Sequence, residues 1–126
     1  MNRRILFTGL LAATLLAACG TSPTTSNAPA TPEVRSALAP TGTLRIAVYT
    51  GSPTSLVRAA PPAEMRGVSI DIGRELAQRL GVPSEVVVFQ RVAEVIDALK
   101  TGRADFTITN ATAARAAEVD FTEPLV

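Results

Sequence analysis

Leu44-Arg45-Ile46-Ala47-Val48-Tyr49 is rich in apolar and β-branched residues and ends at the turn cluster Thr50-Gly51-Ser52-Pro53. This pattern predicts a first strand. A loop carrying Pro61-Pro62 follows, and after Gly67 the spacing predicts a helix from about Ile70 to Leu80. Its apolar face is read from Ile72, Leu76 and Leu80 at i, i+4 and i+8, with Gly73 and Ala77 beside it allowing close packing on a sheet. Gly81 stops that helix and Pro83 prevents its return. Glu85 to Phe89 predicts a second strand, apolar enough to be buried on both faces. Val92, Val95, Ile96 and Leu99 mark a second helix, closed by Gly102. Asp105 to Thr109 predicts a third strand, Thr112 to Glu118 a short helix, and Asp120 to Val126 an extended segment.

This β-α-β-α-β alternation predicts an α/β fold with a parallel sheet and helices covering it. The pattern admits the strand order 2-1-3 or 1-2-3. Only 2-1-3 creates a switch point between strands one and three, where α/β folds bind ligands beyond the strand carboxyl ends. Those ends are Tyr49 to Ser52 and Thr109 to Thr112. A three-stranded sheet leaves both edges unfinished and the core marginal. Together with the apolar close Pro124-Leu125-Val126, this leads us to expect the first part of something longer.

The segment before the strand has a different character. Asn2-Arg3-Arg4 is a basic start, and Ile5 to Ala18 is an apolar run broken only by Thr8, Gly9 and Thr14. It is shorter than the roughly 20 residues that span a bilayer, and it fits a secretory signal peptide over residues 1–18. Leu16-Ala17-Ala18-Cys19 resembles the lipobox of bacterial lipoproteins, which implies a mature N-terminus at Cys19, acylated by chains such as palmitate and thereby anchored to a membrane. The alternative is an ordinary signal peptide with a chance cysteine. Residues 19–43, with Pro23, Pro29, Pro32 and Pro40 among Ser, Thr and Ala, read as a flexible tether with at most a brief helical turn within Val34–Ala39.

Composition narrows the chemistry. The chain of 126 residues is 47% hydrophobic, has no His, one Cys and a net charge of +1. The missing His removes the usual serine, cysteine and zinc chemistries, and a lone Cys forms neither an internal disulfide nor a metal cluster. Without a basic block, no nucleic-acid partner is expected. No cofactor or metal is expected either.

Several stretches, in order, resemble the family 3 solute-binding proteins of bacterial ABC importers, the polar amino-acid type. They are Gly42-Thr43-Leu44-Arg45-Ile46-Ala47-Val48, then Gly67 to Ala77, Leu99-Lys100-Thr101-Gly102-Arg103-Ala104-Asp105, Thr112-Ala113-Ala114-Arg115 and Val119 to Pro124. The resemblance covers residues 44–126. It implies a periplasmic-binding-protein type II fold, here a three-layer lobe of order 2-1-3, truncated before the hinge and second lobe. It also implies that the Thr112-x-x-Arg115 motif grips a ligand carboxylate. Thr112 is a good N-cap, and Arg115 near N3 is an ill-placed cation that a bound carboxylate would relieve. The competing role for Arg115 is a surface pair with Glu118. Ala113 and Ala114 replace the family's Pro and Glu, and the stretch from Asp105 to Arg115 is about two residues short of its common pattern. Asn110 falls where the family offers a polar group to the ligand and is expected to contact solute or cap a turn. Tyr49 is a candidate to stack on the ligand, or else the last core residue of its strand. Ser52 and Ser55 are candidates to bond the solute or to shape the turn. Asp71 is expected to be structural, in the first helical turn.

The expected function follows from that resemblance. It is a monomeric, lipid-anchored protein of the cell envelope that captures a small polar solute, such as an amino acid or related carboxylate, and delivers it to an ABC permease, without catalysis. The alternatives are an enzyme on the same lobe, a dehydratase or a peptidoglycan-lytic enzyme, and the input domain of a membrane sensor.

Overall fold

The computed structural model describes residues 29–52, 54–57 and 65–124. The signal segment, Cys19, the Pro61-Pro62 loop and the last two residues lie outside the described residues. The elements are α1 (Pro32–Leu38), β1 (Leu44–Tyr49), α2 (Val68–Leu80), β2 (Ser84–Phe89), α3 (Val92–Lys100) and α4 (Ala113–Ala116).

β1 and β2 pair in parallel from Leu44 opposite Ser84 to Tyr49 opposite Phe89. On the other side of β1, Phe106 forms a parallel bridge with Ile46. The order is therefore 2-1-3, with β1 central. The third member is shorter than expected, because the Asp105–Thr109 strand contracts to this bridge. Phe106 N–H reaches the Arg45 carbonyl (3.2 Å) and Ala47 N–H the Phe106 carbonyl (2.8 Å). At the next position along the ladder the Thr107 hydroxyl donates to the Ala47 carbonyl (2.9 Å). A side chain thus competes for the acceptor that the next ladder N–H would use, and the pairing goes no further.

β1 divides the core by its alternation. Leu44, Ile46 and Val48 face one way, into a cluster with Ile70, Ala77 and Leu80 of α2. Ala47 faces the other way, with Val95 and Ala98 of α3 and Ala104. These are the three layers, helix on sheet on helix. Full burial of side chains such as Ile46, Val48 and Ile70 contributes roughly 1.5–3 kcal/mol each.

Two sequence expectations are corrected by this placement. β2 is not buried on both faces. Val86 to Phe89 are half-buried and Ser84 and Glu85 exposed, because β2 is an edge and the mostly buried strand is the central β1. The buried stripe of α2 is Ile70, Gly73, Ala77 and Leu80, whereas Ile72 is exposed. Gly73 sets that rotation: a methyl there would stand 2.7 Å from Ile46 Cδ1, so the bare glycine lets the helix backbone lie on β1. Gly73→Ala should lose ~1–2 kcal/mol net, overpacking outweighing the gain in helix propensity. A denaturation midpoint above wild type would contradict this.

Gly81 ends α2 in the left-handed conformation (φ 69). Val82 N–H then closes back on the Ala77 carbonyl at 3.0 Å, as the sequence led us to expect.

A third correction concerns residues 32–38, which form two helical turns where at most one was expected. Thr31 accepts from Val34 N–H, and Pro32 begins the helix, the position where its missing N–H costs nothing. Arg35 reaches back to the Ala30 carbonyl through Nε (3.2 Å) and Nη2 (3.0 Å), and Ala39 is buried in the α2-side cluster.

Candidate functional site

Strands running in parallel place their carboxyl ends together, so Tyr49, Phe89 and the chain after Phe106 emerge at one end of the sheet. At the opposite, amino end of β1, the third segment is tied to the central strand by one ion pair. Arg45, on the central strand, donates from Nε to Asp105 Oδ2 (2.9 Å) and from Nη2 to Oδ1 (2.6 Å). Asp105 Oδ2 also accepts from the Arg45 backbone N–H (2.9 Å), and Arg45 Nη1 donates to the Gly102 carbonyl (2.6 Å). Side-chain exposure is 18% for Arg45 and 5% for Asp105, so the planar fork, itself reached by solvent, closes over a nearly buried carboxylate. Asp105 holds the Arg45 guanidinium above its usual pKa, first by their hydrogen bond, with desolvation opposing.

Beyond this clamp, Thr109 and Asn110 turn toward α4. Thr112 caps α4, its hydroxyl accepting from Arg115 N–H at 3.3 Å. That cap puts Arg115 at N3, as expected, and its side chain bends back over the loop. Arg115 Nη1 donates to Thr109 Oγ1 (3.0 Å), to the Asn110 carbonyl (3.0 Å) and to Asn110 Oδ1. All three contacts use one nitrogen. Among the described residues, Nε and Nη2 donate to nothing, and together they form the side-on edge that matches a carboxylate. Because α4 is a single turn, its dipole adds little to anion binding, and the guanidinium edge carries the chemistry.

The alternative pairing of Arg115 with Glu118 is not made. Glu118 instead accepts from Lys100 of α3 at 2.6 Å. That hydrogen bond is the first cause of a raised Lys100 pKa. Lys100 and Glu118 also line an open groove of about 350 Å³ between α3 and α4, together with Val92, Ile96 and Arg115 among others.

Of the site residues read from sequence, Asn110, Thr112 and Arg115 come together. Tyr49 and Ser52 have no hydrogen bond to them. Tyr49 is half-buried against the α3-side cluster with Phe89 and Leu99, the position of the last core residue of its strand. Its N–H donates to the Ser55 hydroxyl (3.0 Å), and Ser55 is 1% exposed. The Ser52 hydroxyl pairs with Thr54 Oγ1 (2.8 Å), and its carbonyl accepts from Ser55 and Leu56 N–H, so Ser52 shapes the turn. Asp71 is exposed in the first turn of α2. Thr109 was missed as a site residue, because a strand ending at Thr109 gave its hydroxyl no partner to orient. The shortened stretch before Arg115 was the available clue.

Among the described residues there is no cluster of three metal-ligating side chains and no helix long and apolar enough to cross a membrane. An oxyanion grip is the chemistry this arrangement offers.

No curated protein matches the chain. Among solved structures it is similar to the crystal structure of an ancestral cyclohexadienyl dehydratase, with a TM-score of 0.59 and 25% sequence identity. The match covers 69% of this chain and 36% of that one, so the chain spans about a third of that structure's length. A family model matches residues 44–126, the whole of the sheet, its covering helices α2 and α3, and α4. On that match, the chain belongs to the bacterial extracellular solute-binding proteins, family 3.

Proposed function

We infer that the protein captures a small polar solute through the solute's carboxylate and delivers it to an ABC permease, without transforming it. Membership of an extracellular solute-binding family implies solute binding in the periplasm or outside the cell. The observation that carries the finer reading is Arg115. Its guanidinium is anchored to the loop through Nη1, and among the described residues Nε and Nη2 donate to nothing. A free carboxylate meets the Nε–Nη2 edge with two parallel charge-assisted hydrogen bonds. A second lobe, closing over the ligand by hinge motion, would remove the remaining solvent.

The similarity to a dehydratase favours a second reading, an enzyme on the same lobe. Incubating the full-length gene product with each solute it binds, and following the solute by mass spectrometry, separates the two. Capture leaves the mass unchanged at stoichiometric protein. Loss of water from the bound solute would make the protein an enzyme.

The membrane anchor is a separate part of the proposal and rests on Leu16-Ala17-Ala18-Cys19. Mass spectrometry of the membrane fraction of the native host should find an acylated Cys19 as the N-terminal residue. An unmodified thiol on freely soluble protein would contradict the anchor and leave solute capture untouched.

A further inference from the structure

Four charged side chains line the groove between α3 and α4: Asp97, Lys100, Arg115 and Glu118. Both carboxylates are already taken. Asp97 pairs with Arg103 (2.6 Å) and Glu118 with Lys100 (2.6 Å). Arg115, among the described residues, pairs with neither. Yet Glu118 is the carboxylate that the backbone brings nearest to it. Glu118 N–H donates to the Arg115 carbonyl (2.9 Å), so the two residues close one tight turn, in which side chains three apart lie over one another. No packing fixes the direction of the Glu118 side chain. It is exposed, and α4 before it buries no residue. Among the described residues Lys100 Nζ is the donor that holds its carboxylate.

We propose that Lys100 is a positioning residue of the anion site: by holding Glu118, it keeps the chain's own carboxylate off the Nε–Nη2 edge of Arg115 and leaves that edge to a solute. The proposal rests on the reading of Arg115 as the carboxylate grip. The Arg115–Glu118 pair that the sequence admits then becomes the closed alternative of the same site, with Glu118 in the place of the ligand carboxylate. Each state contains one exposed ion pair made by Glu118, so the exchange between them costs little. Lys100, on a different helix from Arg115, decides it in favour of the open edge.

The test is a pair of substitutions and their combination in the full-length gene product. Lys100→Met keeps the aliphatic stem without the ammonium, and Glu118→Gln keeps the shape without the charge. Nitrogen–proton NMR follows the Arg115 Nε–H signal, first without ligand and then during titration with acetate. In ligand-free Lys100→Met the signal should move downfield and exchange more slowly with water, as an N–H that has gained an acceptor does. Adding Glu118→Gln should return it to its wild-type position. Half-saturation by acetate should need ~2–6-fold more ligand in Lys100→Met, the weight of one exposed ion pair acting as competitor. It should return to wild type in the double variant. A ligand-free signal that stays in place in Lys100→Met would overturn the role of Lys100, since a charge acting at a distance gives Arg115 no new acceptor. So would a loss that persists in the double variant, or one as large in Glu118→Gln alone, because either would make the pair a structural tie between α3 and α4. These failures leave the carboxylate grip standing. A wild-type Arg115 signal that ignores acetate would overturn the grip, and the proposal with it.

Discussion

Arg115→Ala, made in the full-length gene product, is expected to weaken binding of its carboxylate solute by ~2–5 kcal/mol, or roughly 30-fold to several thousandfold. The loss is large because a carboxylate enclosed without its cation keeps most of its desolvation cost. Arg115→Lys should recover only part, since an ammonium cannot reproduce both the Nη1 anchor and the Nε–Nη2 edge. Arg103→Ala is the control. Arg103 pairs with Asp97 on an exposed surface (2.6 Å) and lies over the Phe89 ring at 5.9 Å, with no hydrogen bond to Thr109, Asn110 or Arg115, so affinity should hold. Folding should change little in Arg115→Ala, because the lost contacts are on an exposed loop. Calorimetric titration reads all three. Equal affinity for Arg115→Ala and wild type would remove Arg115 from the site.

Asp105→Ala is expected to destabilise the fold by ~1–3 kcal/mol, the second large effect, because it removes three hydrogen bonds to a nearly buried carboxylate. Asp105 accepts three N–H bonds from Arg45, two from the guanidinium and one from the backbone. They tie the third segment of the sheet to β1 where the ladder itself is one bridge long. The exposed pair Glu75–Arg79 (2.8 Å) is the comparison, and Glu75→Ala should cost ~0–1 kcal/mol. Urea denaturation separates the two cases. A loss for Asp105→Ala no greater than that for Glu75→Ala would show that the clamp is not what holds the third segment.

The layers and their order were legible because β1, α2, β2 and α3 carry periodicities that only a parallel sheet with helices on both faces satisfies. Order 2-1-3 needed more than periodicity, and the Ile46–Phe106 bridge decides it. Periodicity misplaced the buried stripe of α2, because Ile72 and Leu76 carry more apolar surface than Gly73, and hydropathy cannot register that an absent side chain marks the contact face. The helix at 32–38 was hidden by its own start. Prolines counted against structure there, whereas Thr31-Pro32-Glu33 is an N-cap, a first-turn proline and a first-turn acid. In the site, Thr112 and Arg115 were legible from the capping motif and family resemblance. The side chains that hold Arg115 were not, because Thr109 and Asn110 reach it through a loop whose shape depends on where the third strand stops. At that stop the Thr107 hydroxyl takes the Ala47 carbonyl, a bond that sequence spacing does not announce.

The measurement that bears most directly on carboxylate capture compares each acid with its own neutral derivative. The full-length gene product is titrated by calorimetry with the twenty L-amino acids, succinate and citrate, and each solute that binds is then titrated again with its carboxylates converted to amides. Capture through the Arg115 edge requires at least one acid to bind at micromolar affinity or tighter, and its amide to bind at least ~100-fold more weakly, since an amide brings no charge to the guanidinium. Amides that bind as tightly as their acids, or a panel in which no acid binds at all, would contradict it.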